Sequence, residues 1–245
     1  MLMNVIQRKP IKTRNKIIYH KLILMIRGHI RDSFENDQLY DFIKKLMKKY
    51  DIRIYIHTWN IIQSNISWRE IEMNEIEITE EMIRKYFRDC NIENIIIDND
   101  KDIQLIGNLE GNICNSRMPV IGWKNMWYGS YQNITVIKNK INNPLIPIVN
   151  IRFDLFQVFK DDLFYYIDSN SAYKFIINNY KLKYQKNIMI YNKKKIGIDN
   201  IYIGNINTMY KLISHFYYNL DEIVLNYHEV KSQEYLVYYE NNKIE

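Results

Sequence analysis

The chain is poor in the residues that staple or interrupt a fold. Its 245 residues include two cysteines, four prolines and seven glycines. Cys90 and Cys114 are too few for a disulfide framework, and they do not form the Cys-x-x-Cys spacing of a metal site. This usage excludes a small disulfide-stapled protein and suits a reducing compartment, where either cysteine can be an ordinary buried thiol.

The chain also lacks long hydrophobic runs. Residues 1–14 are basic and carry neither the apolar core nor the small-residue cleavage site of a secretory signal. The apolar stretch at residues 22–26 is far shorter than the roughly 20 residues that cross a bilayer. We therefore expect a soluble protein that is not secreted, that has no membrane span and whose mature chain starts at this N-terminus.

Several familiar catalytic motifs are missing as well. The sequence contains no Gly-rich Walker loop, no Gly-x-Gly-x-x-Gly, no His-Glu-x-x-His and no Gly-x-Ser-x-Gly. Nucleotide hydrolysis, dinucleotide chemistry, zinc proteolysis and α/β-hydrolase chemistry therefore lack their usual parts.

What the chain has is the composition of a globular protein with a basic surplus. Hydrophobic residues make up 47% and charged residues 25%, enough for a substantial core. No linker or repeat divides the sequence, so we predict one domain over residues 1–245, with residues 1–20 as an N-terminal extension. The net charge of +6 favours anionic partners such as phosphorylated ligands, nucleic acid or acidic glycans.

Hydrophobic periodicity predicts alternating strands and helices. A short buried strand at residues 21–28, an amphipathic helix at 39–50 and a β-branched strand at 52–56 form a βαβ unit, which makes its two strands parallel. Later segments continue the alternation: a helix capped by Thr79, a strand at 94–97, a helix at 122–138, a strand at 149–153 and a helix at 208–218. We predict an α/β, Rossmann-like fold with a mostly parallel sheet flanked by helices.

Polar residues follow four of the predicted strands. In an open parallel sheet, ligands bind outside the carboxyl ends of the strands. Two of these ends offer cationic or neutral donors and two offer carboxylates, a mixture that can hold a diphosphate directly and through a divalent cation. The candidates are Arg27, His29 and Arg31 after the first strand, His57, Thr58 and Trp59 in a loop after the second, Asp98 after the third, and Arg152 and Asp154 at the fourth.

Six segments carry a further signal through their order along the chain. They are LILMIRGHIR, DIRIYIHTW, GWKNMWYGSY, NIRFDLF, IDNIYIGNINTMYKL and NYHEVKSQEYL. Together, over roughly residues 21–240, they resemble a glycosyltransferase-like family of bacterial polysaccharide loci and giant viruses. The resemblance implies a GT-A-like nucleotide-sugar fold and a role in glycan biosynthesis, in which a sugar passes from a nucleotide diphosphate donor to a glycan, protein or lipid acceptor. It also suggests a cytoplasmic location, in the host cytoplasm or the virion if the source is viral.

The resemblance assigns a role to each candidate residue. The donor's phosphates would contact Arg27, His29, Arg31 and Arg152, the nucleoside would contact His57, Thr58, Trp59 and Asp98, and a Mn²⁺ or Mg²⁺ ion would bind Asp154 and His228. Asp199, within the IDNIYIG segment, would be the catalytic base that accepts the proton of the acceptor hydroxyl. One departure concerns the metal, because Arg152-Phe153-Asp154 stands where strict GT-A enzymes carry Asp-x-Asp.

Structural interpretations stand beside these roles. Arg31 can form an ion pair with Asp32 or Glu35, and Asp154 can form a salt bridge to Arg152 or cap a turn. The two histidines after the strands can be hydrogen-bonded structural residues, residues 98–100 can form an Asx turn, and His228 can be a surface histidine.

Two further patterns bear on the fold and on the function. Trp123 and Trp127 lie four residues apart on one helix, a spacing that favours core packing over stacking on a sugar. The alternative to an enzyme is a non-catalytic nucleic-acid or glycan-binding protein, which the net charge, the 21 tyrosines and the run Lys193-Lys194-Lys195 would suit. Because the other lysines are spread along the chain, sugar transfer remains the preferred prediction.

Overall fold

Strands of the protein form one large sheet and one small one. The computed structural model describes residues 20–157, 167–180, 184–190 and 199–244. Within them the strands are β1 His20–Arg27, β2 Tyr50–Trp59, β3 Ile61–Gln63, β4 Asn74–Glu77, β5 Ile92–Asp98, β6 Pro147–Arg152, β7 Ile188–Met189 and β8 Ile201–Asn205. The large sheet has the order β5-β2-β1-β6-β8-β7, and β3 pairs with β4 separately.

The centre of the large sheet is parallel. The pairs β1·β2, β1·β6 and β2·β5 are parallel, whereas β8 is antiparallel to both β6 and β7. A parallel strand is covered on both faces and therefore reads as a continuous apolar run, as residues 22–26 do. With helices on both faces, the predicted α/β fold with a mostly parallel sheet is confirmed.

Helices cover the two faces in two groups. They are α1 Gln38–Met47, α2 Glu80–Tyr86, α3 Val120–Lys140, α4 Ser169–Asn179, α5 Ile206–Asn226 and α6 Gln233–Lys243. One core contains the buried residues of α1, α2 and α4, and the other contains those of α3, α5 and α6. Because side chains alternate along a strand, Leu22 and Leu24 of β1 enter the first core, and Ile23 and Met25 enter the second.

The tryptophan pair of α3 belongs to the second core, as predicted. Trp123 and Trp127 are both buried, and the Trp127 ring stacks on Phe216 with centroids 4.2 Å apart and planes 6° from parallel. Thr79 caps α2 as predicted, since its side chain accepts a hydrogen bond from the main-chain nitrogen of Met82 at 3.2 Å.

Several predicted boundaries were wrong. The second strand was predicted to end at residue 56 and to deliver His57, Thr58 and Trp59 to a loop, but β2 continues through Trp59 because β5 pairs with it up to Asp98. The first helix ends at Met47, before Tyr50, which opens β2. The helix predicted at residues 208–218 is longer, since α5 runs from Ile206 to Asn226.

Other parts of the structure had no counterpart in the prediction. The strands β3, β4, β7 and β8 and the helices α4 and α6 were not predicted. Residues 1–19 of the predicted extension and the run Lys193-Lys194-Lys195 lie outside the described residues. In the part of the chain that is described, no helix combines the length and the apolar character needed to cross a membrane.

Candidate functional site

A cleft opens at the sheet edge where β1, β2 and β6 end. The empty space in it is about 1010 Å³, counting the part that is open to solvent. Parallel strands end at a common edge, which is why residues far apart in sequence meet there. Eight of the predicted site residues line this cleft, namely Arg27, His29, Arg31, His57, Trp59, Arg152, Asp154 and Asp199.

Asp154 is bound by two guanidinium groups. Arg152 donates from Nε to Oδ1 at 2.7 Å and from Nη2 to Oδ2 at 2.6 Å, which makes a bidentate pair. Arg31 donates from Nη1 to Oδ2, also at 2.6 Å. The salt bridge between Asp154 and Arg152 is therefore present, and Arg31 joins it from a turn 123 residues earlier.

Asp154 and Arg152 remain charged although burial disfavours the charged form of each. Burial by itself would raise the pKa of Asp154, but the guanidinium groups of Arg152 and Arg31 outweigh it and hold this pKa well below its ordinary value. Burial lowers the pKa of Arg152, yet the carboxylates of Asp154 and Asp199 keep it above its ordinary value. Two arginines and one carboxylate leave this part of the cleft with a surplus positive charge at neutral pH.

The guanidinium of Arg27 is hydrogen-bonded to other groups of the protein. Its side chain is 4% exposed; Nε donates to Asn150 Oδ1 at 3.1 Å, and Nη2 donates to the main-chain oxygen of Asp199. Asn150 in turn donates from Nδ2 to the hydroxyl of Tyr202 at 2.6 Å. The Arg27 guanidinium thus contacts Asn150 and the main chain of Asp199, whereas the sequence predicts a phosphate contact for it.

Asp199 lies on the cleft wall between two cations. Its Oδ2 is 3.8 Å from Arg152 Nη1 and 4.0 Å from Arg27 Nη2. Both distances exceed the ~2.7–2.9 Å of a charged hydrogen bond. Arg152 Nη1 instead donates to Asn200 Oδ1 at 3.3 Å. The carboxylate of Asp199 therefore lies on the cleft wall within 4.0 Å of two guanidinium groups, with no charged hydrogen bond of ordinary length to either of them.

The turn after β1 needs unusual backbone conformations. Gly28 has φ +94°, which favours glycine, and Arg31 has φ +52°, which is uncommon for a residue with a side chain. Thr58, fully buried on β2, donates from Oγ1 to the main-chain oxygen of Gly28 at 2.9 Å. Thr58 therefore holds this turn and does not line the cleft, so it lacks the nucleoside-facing position predicted for it.

On the β2 side, His57 pairs with Asp98. His57 Nε2 is 3.1 Å from Asp98 Oδ2, and this hydrogen bond lowers the pKa of Asp98. The imidazole packs against α3 at Gly129, where a Cβ atom would lie 2.3 Å from Nδ1. Asp98 itself does not line the cleft. After it, Asn99 Oδ1 accepts from the main-chain nitrogen of Lys101 at 3.1 Å, consistent with an Asx turn.

Aromatic rings make up the neutral wall of the cleft. The Trp59 ring lies 6.0 Å from His29 and 6.2 Å from Tyr128, centroid to centroid. Nδ1 of His29 is 3.3 Å from the main-chain oxygen of Ile61. Burial, followed by the nearby charge of Arg31, lowers the pKa of His29 to about 4, so this imidazole is neutral at pH 7.

Several cleft residues were missed by the sequence prediction. They are Ser64, Trp68 and Arg69 from the segment between β3 and β4, Asn125 from α3, and Glu234 from α6. None of them follows a predicted strand. The only signal was the adjacent aromatic and basic pair Trp68-Arg69, in which the guanidinium lies 4.2 Å from the ring centroid.

The residues present do not fit a Mn²⁺ or Mg²⁺ ion in this arrangement. Both oxygens of Asp154 accept N–H groups, so a cation placed there would face two guanidinium charges. His228, the second predicted ligand, lies between α5 and α6 with its side chain 76% exposed and does not line the cleft. Among the described residues, no three His, Cys, Asp or Glu side chains are grouped so as to hold a metal.

Comparisons with protein-family models, with curated proteins and with solved structures find no significant match for this chain.

Proposed function

We propose that this protein is an enzyme that transfers a sugar from a nucleoside diphosphate donor to a hydroxyl group of a glycan, protein or lipid, on a GT-A-like version of the α/β fold. One observation carries the proposal. Guanidinium groups held by hydrogen bonds and the carboxylate of Asp199 line the same cleft at the carboxyl edge of a parallel sheet. A diphosphate is bound by the former, and an attacking hydroxyl is deprotonated by the latter.

The charge of the cleft supports a phosphorylated ligand. Among the described residues, four arginines line it, against three carboxylates, and the arginines belong to β1, to the turn after it, to the segment after β3 and to β6. Guanidinium groups match phosphate oxygens with two parallel hydrogen bonds. Of the four, Arg152 is assigned to the donor diphosphate, because its side chain is 24% exposed, whereas those of Arg27 and Arg31 are 4% and 10% exposed.

The neutral wall supports a nucleoside or sugar beside the phosphates. Trp59, Trp68 and the uncharged imidazole of His29 offer flat surfaces, and Asn125 offers an amide. The Asn125 Oδ1 atom is buried and has no hydrogen-bond partner among the described residues. Rings and amides of this kind bind the uncharged parts of a small ligand and give it one orientation.

The reaction proposed for this cleft is a single displacement. The acceptor oxygen forms a bond to the anomeric carbon, and the bond from that carbon to the diphosphate oxygen breaks, with its electron pair leaving on the diphosphate. The hydroxyl proton moves to a carboxylate oxygen of Asp199. Arginine side chains stabilise the charge that develops on the departing diphosphate, because they are already fixed before the reaction.

The test first identifies the donor and then measures the effect of replacing Asp199. A thermal-shift screen against UDP-, GDP- and dTDP-sugars, with a CMP-sugar as the monophosphate comparison, identifies the donor, because a ligand that binds only the folded state raises its melting temperature. With that donor, Asp199→Asn is expected to lower turnover by about 10²–10⁴-fold and to leave donor affinity nearly unchanged by calorimetry. Glu229→Gln, at an exposed acid outside the cleft, is the matched control and is expected to keep full turnover.

Two results would contradict this proposal in different ways. Full activity of Asp199→Asn would show that the base is another carboxylate. A wild-type protein that binds no nucleotide sugar, but binds RNA or DNA in a salt-sensitive manner, would favour the non-catalytic alternative.

A further inference from the structure

A buried carboxylate and two arginines form one hydrogen-bonded group of charged side chains in the cleft. Asp154 accepts three N–H groups, two from Arg152 and one from Arg31, all within 2.6–2.7 Å. The carboxylate is 4% exposed and the Arg31 side chain 10% exposed, so neither is well placed to meet a ligand. The Asp154 carboxylate therefore fixes the positions of the two guanidinium groups.

Arg152 differs from its two partners in its access to the cleft. Its side chain is 24% exposed, and it lines the cleft wall next to Asp199 and Asn200. Only Nε and Nη2 are used in the pair with Asp154; Nη1 contacts Asn200 Oδ1 at 3.3 Å, near the upper limit for a hydrogen bond. A guanidinium has five N–H donors, so Arg152 retains donors for a ligand.

Fixation of this kind suits electrostatic stabilisation. A long side chain loses rotamer freedom when it binds a flexible anion, but the bidentate pair with Asp154 has already removed that freedom from Arg152. A cation held rigidly where negative charge develops needs no reorganisation during the reaction. A divalent metal performs the same task in other phosphate sites by bridging the phosphate oxygens.

We propose that Arg152, fixed by Asp154 and with Arg31 as a second nearby cation, takes the place of a divalent cation at the donor diphosphate. Donor binding and sugar transfer in this protein are therefore independent of metal ions. The proposal rests on the function proposed above and assigns its leaving-group stabiliser. Asp154 is accordingly a positioning residue, and Arg152 is the residue that touches the diphosphate.

The first test measures cation dependence without relying on activity. Calorimetry of the full chain with the nucleoside diphosphate of the best donor is run in EDTA, in Mg²⁺ and in Mn²⁺. We expect dissociation constants that agree within about twofold across the three conditions, because both oxygens of Asp154 already accept N–H groups from arginines. Affinity that appears only with Mn²⁺ or Mg²⁺ would overturn this inference while leaving sugar transfer intact. Absence of binding under all three conditions would overturn the proposed function, and this inference with it.

The second test separates a phosphate contact from a purely structural role. Arg152→Gln is expected to weaken binding of the nucleoside diphosphate by about 10–100-fold, the loss of one or two charged hydrogen bonds, and to leave binding of the free nucleoside unchanged. Arg152→Lys keeps the charge but loses the fork and is expected to fall between. Arg53→Gln, at a partly exposed arginine of β2 outside this cleft, is the matched control.

The nucleoside measurement guards against misfolding. A variant that lost both nucleoside and diphosphate binding would have lost the cleft itself, and Arg152→Lys, with the charge retained, would then decide the question. Equal affinity of wild type and Arg152→Lys for the diphosphate, together with equal affinity of Arg152→Gln, would show that Arg152 only holds Asp154 and would overturn the proposal.

Discussion

The two walls of the cleft come from neighbouring strands but are stabilised in different ways. The wall from β1 and β6 carries Arg31, Arg152 and Asp154, joined by charged hydrogen bonds. The wall from β2 carries His57 and Trp59, held by ring contacts and by Asp98. A charged wall needs every group paired, because an unpaired buried charge is costly, whereas a neutral wall depends on close packing. The difference indicates where a ligand's charged and uncharged parts would lie.

Breaking the charged wall is expected to have the largest effect on stability. Asp154→Asn leaves Arg31 and Arg152 without the carboxylate that neutralises them, so we expect a loss of about 3–5 kcal/mol in the free energy of unfolding. Urea denaturation measures it. The control is Asp89→Asn, at an exposed acid that pairs with Lys44, where only a small change is expected. A loss below about 1 kcal/mol, the usual value of a surface pair, would show that water already solvates the two arginines.

His29, where the two walls meet, is expected to make stability depend on pH. Its pKa is about 4 in the folded protein, against an ordinary value of 6.5. Between these values the unfolded chain binds a proton that the folded state excludes, so stability falls as the pH falls from 6.5 to 4. At 1.36 kcal/mol per pKa unit, this imidazole lowers the free energy of unfolding by about 3 kcal/mol when the pH falls from above 6.5 to below 4.

His29→Gln tests this, since it removes the titrating group and keeps a donor for the Ile61 oxygen. Between pH 7 and pH 4, the melting temperature of this variant is expected to fall less than that of the wild type. Identical profiles for wild type and His29→Gln would show that this imidazole is solvated.

Crowding the neutral wall is expected to have a smaller effect. In Gly129→Ala the new methyl group would meet the His57 ring at 2.3 Å. Overpacking costs ~1–3 kcal/mol, against the ~1 kcal/mol that alanine gains within a helix, so we expect a net loss of up to about 2 kcal/mol. Gly122→Ala on the same helix is the control, because its nearest neighbour is the flexible end of Met118 at 2.9 Å. Equal stability of the two variants would show that His57 moves freely.

Much of the sheet was predictable because its signals are local. The apolar run of β1 and the apolar stripe of α1 are determined by residues a few positions apart. The parallel crossover from β1 through α1 to β2 follows from the same local pattern. The strand β8 was not predictable, because Ile201–Asn205 pairs with β6, about 50 residues earlier in the chain. The extension of β2 through Trp59 likewise depends on a partner, β5.

Within the site, residue types were easier to predict than partners. The predicted arginines and Asp154 at the ends of β1 and β6 line the cleft, whereas Asp98 at the end of β5 does not. The hydrogen bonds of Arg27 to Asp199 and of Arg31 to Asp154 could not be derived, because the partners are 172 and 123 residues apart. His228 illustrates the opposite error, since a histidine of suitable chemistry lies away from the cleft.

The sequence by itself determined the α/β class, the parallel core and the strand ends at which polar residues collect. These follow from hydrophobic periodicity and from the rule that parallel strands need a crossover. Only the tertiary structure decided that Asp154 binds two arginines rather than presenting free oxygens to a metal, and that Arg27 is directed at Asp199. The physical reason is that hydrogen bonds and charge pairs act over a few ångströms in space, while the pattern of a sequence records only neighbours along the chain.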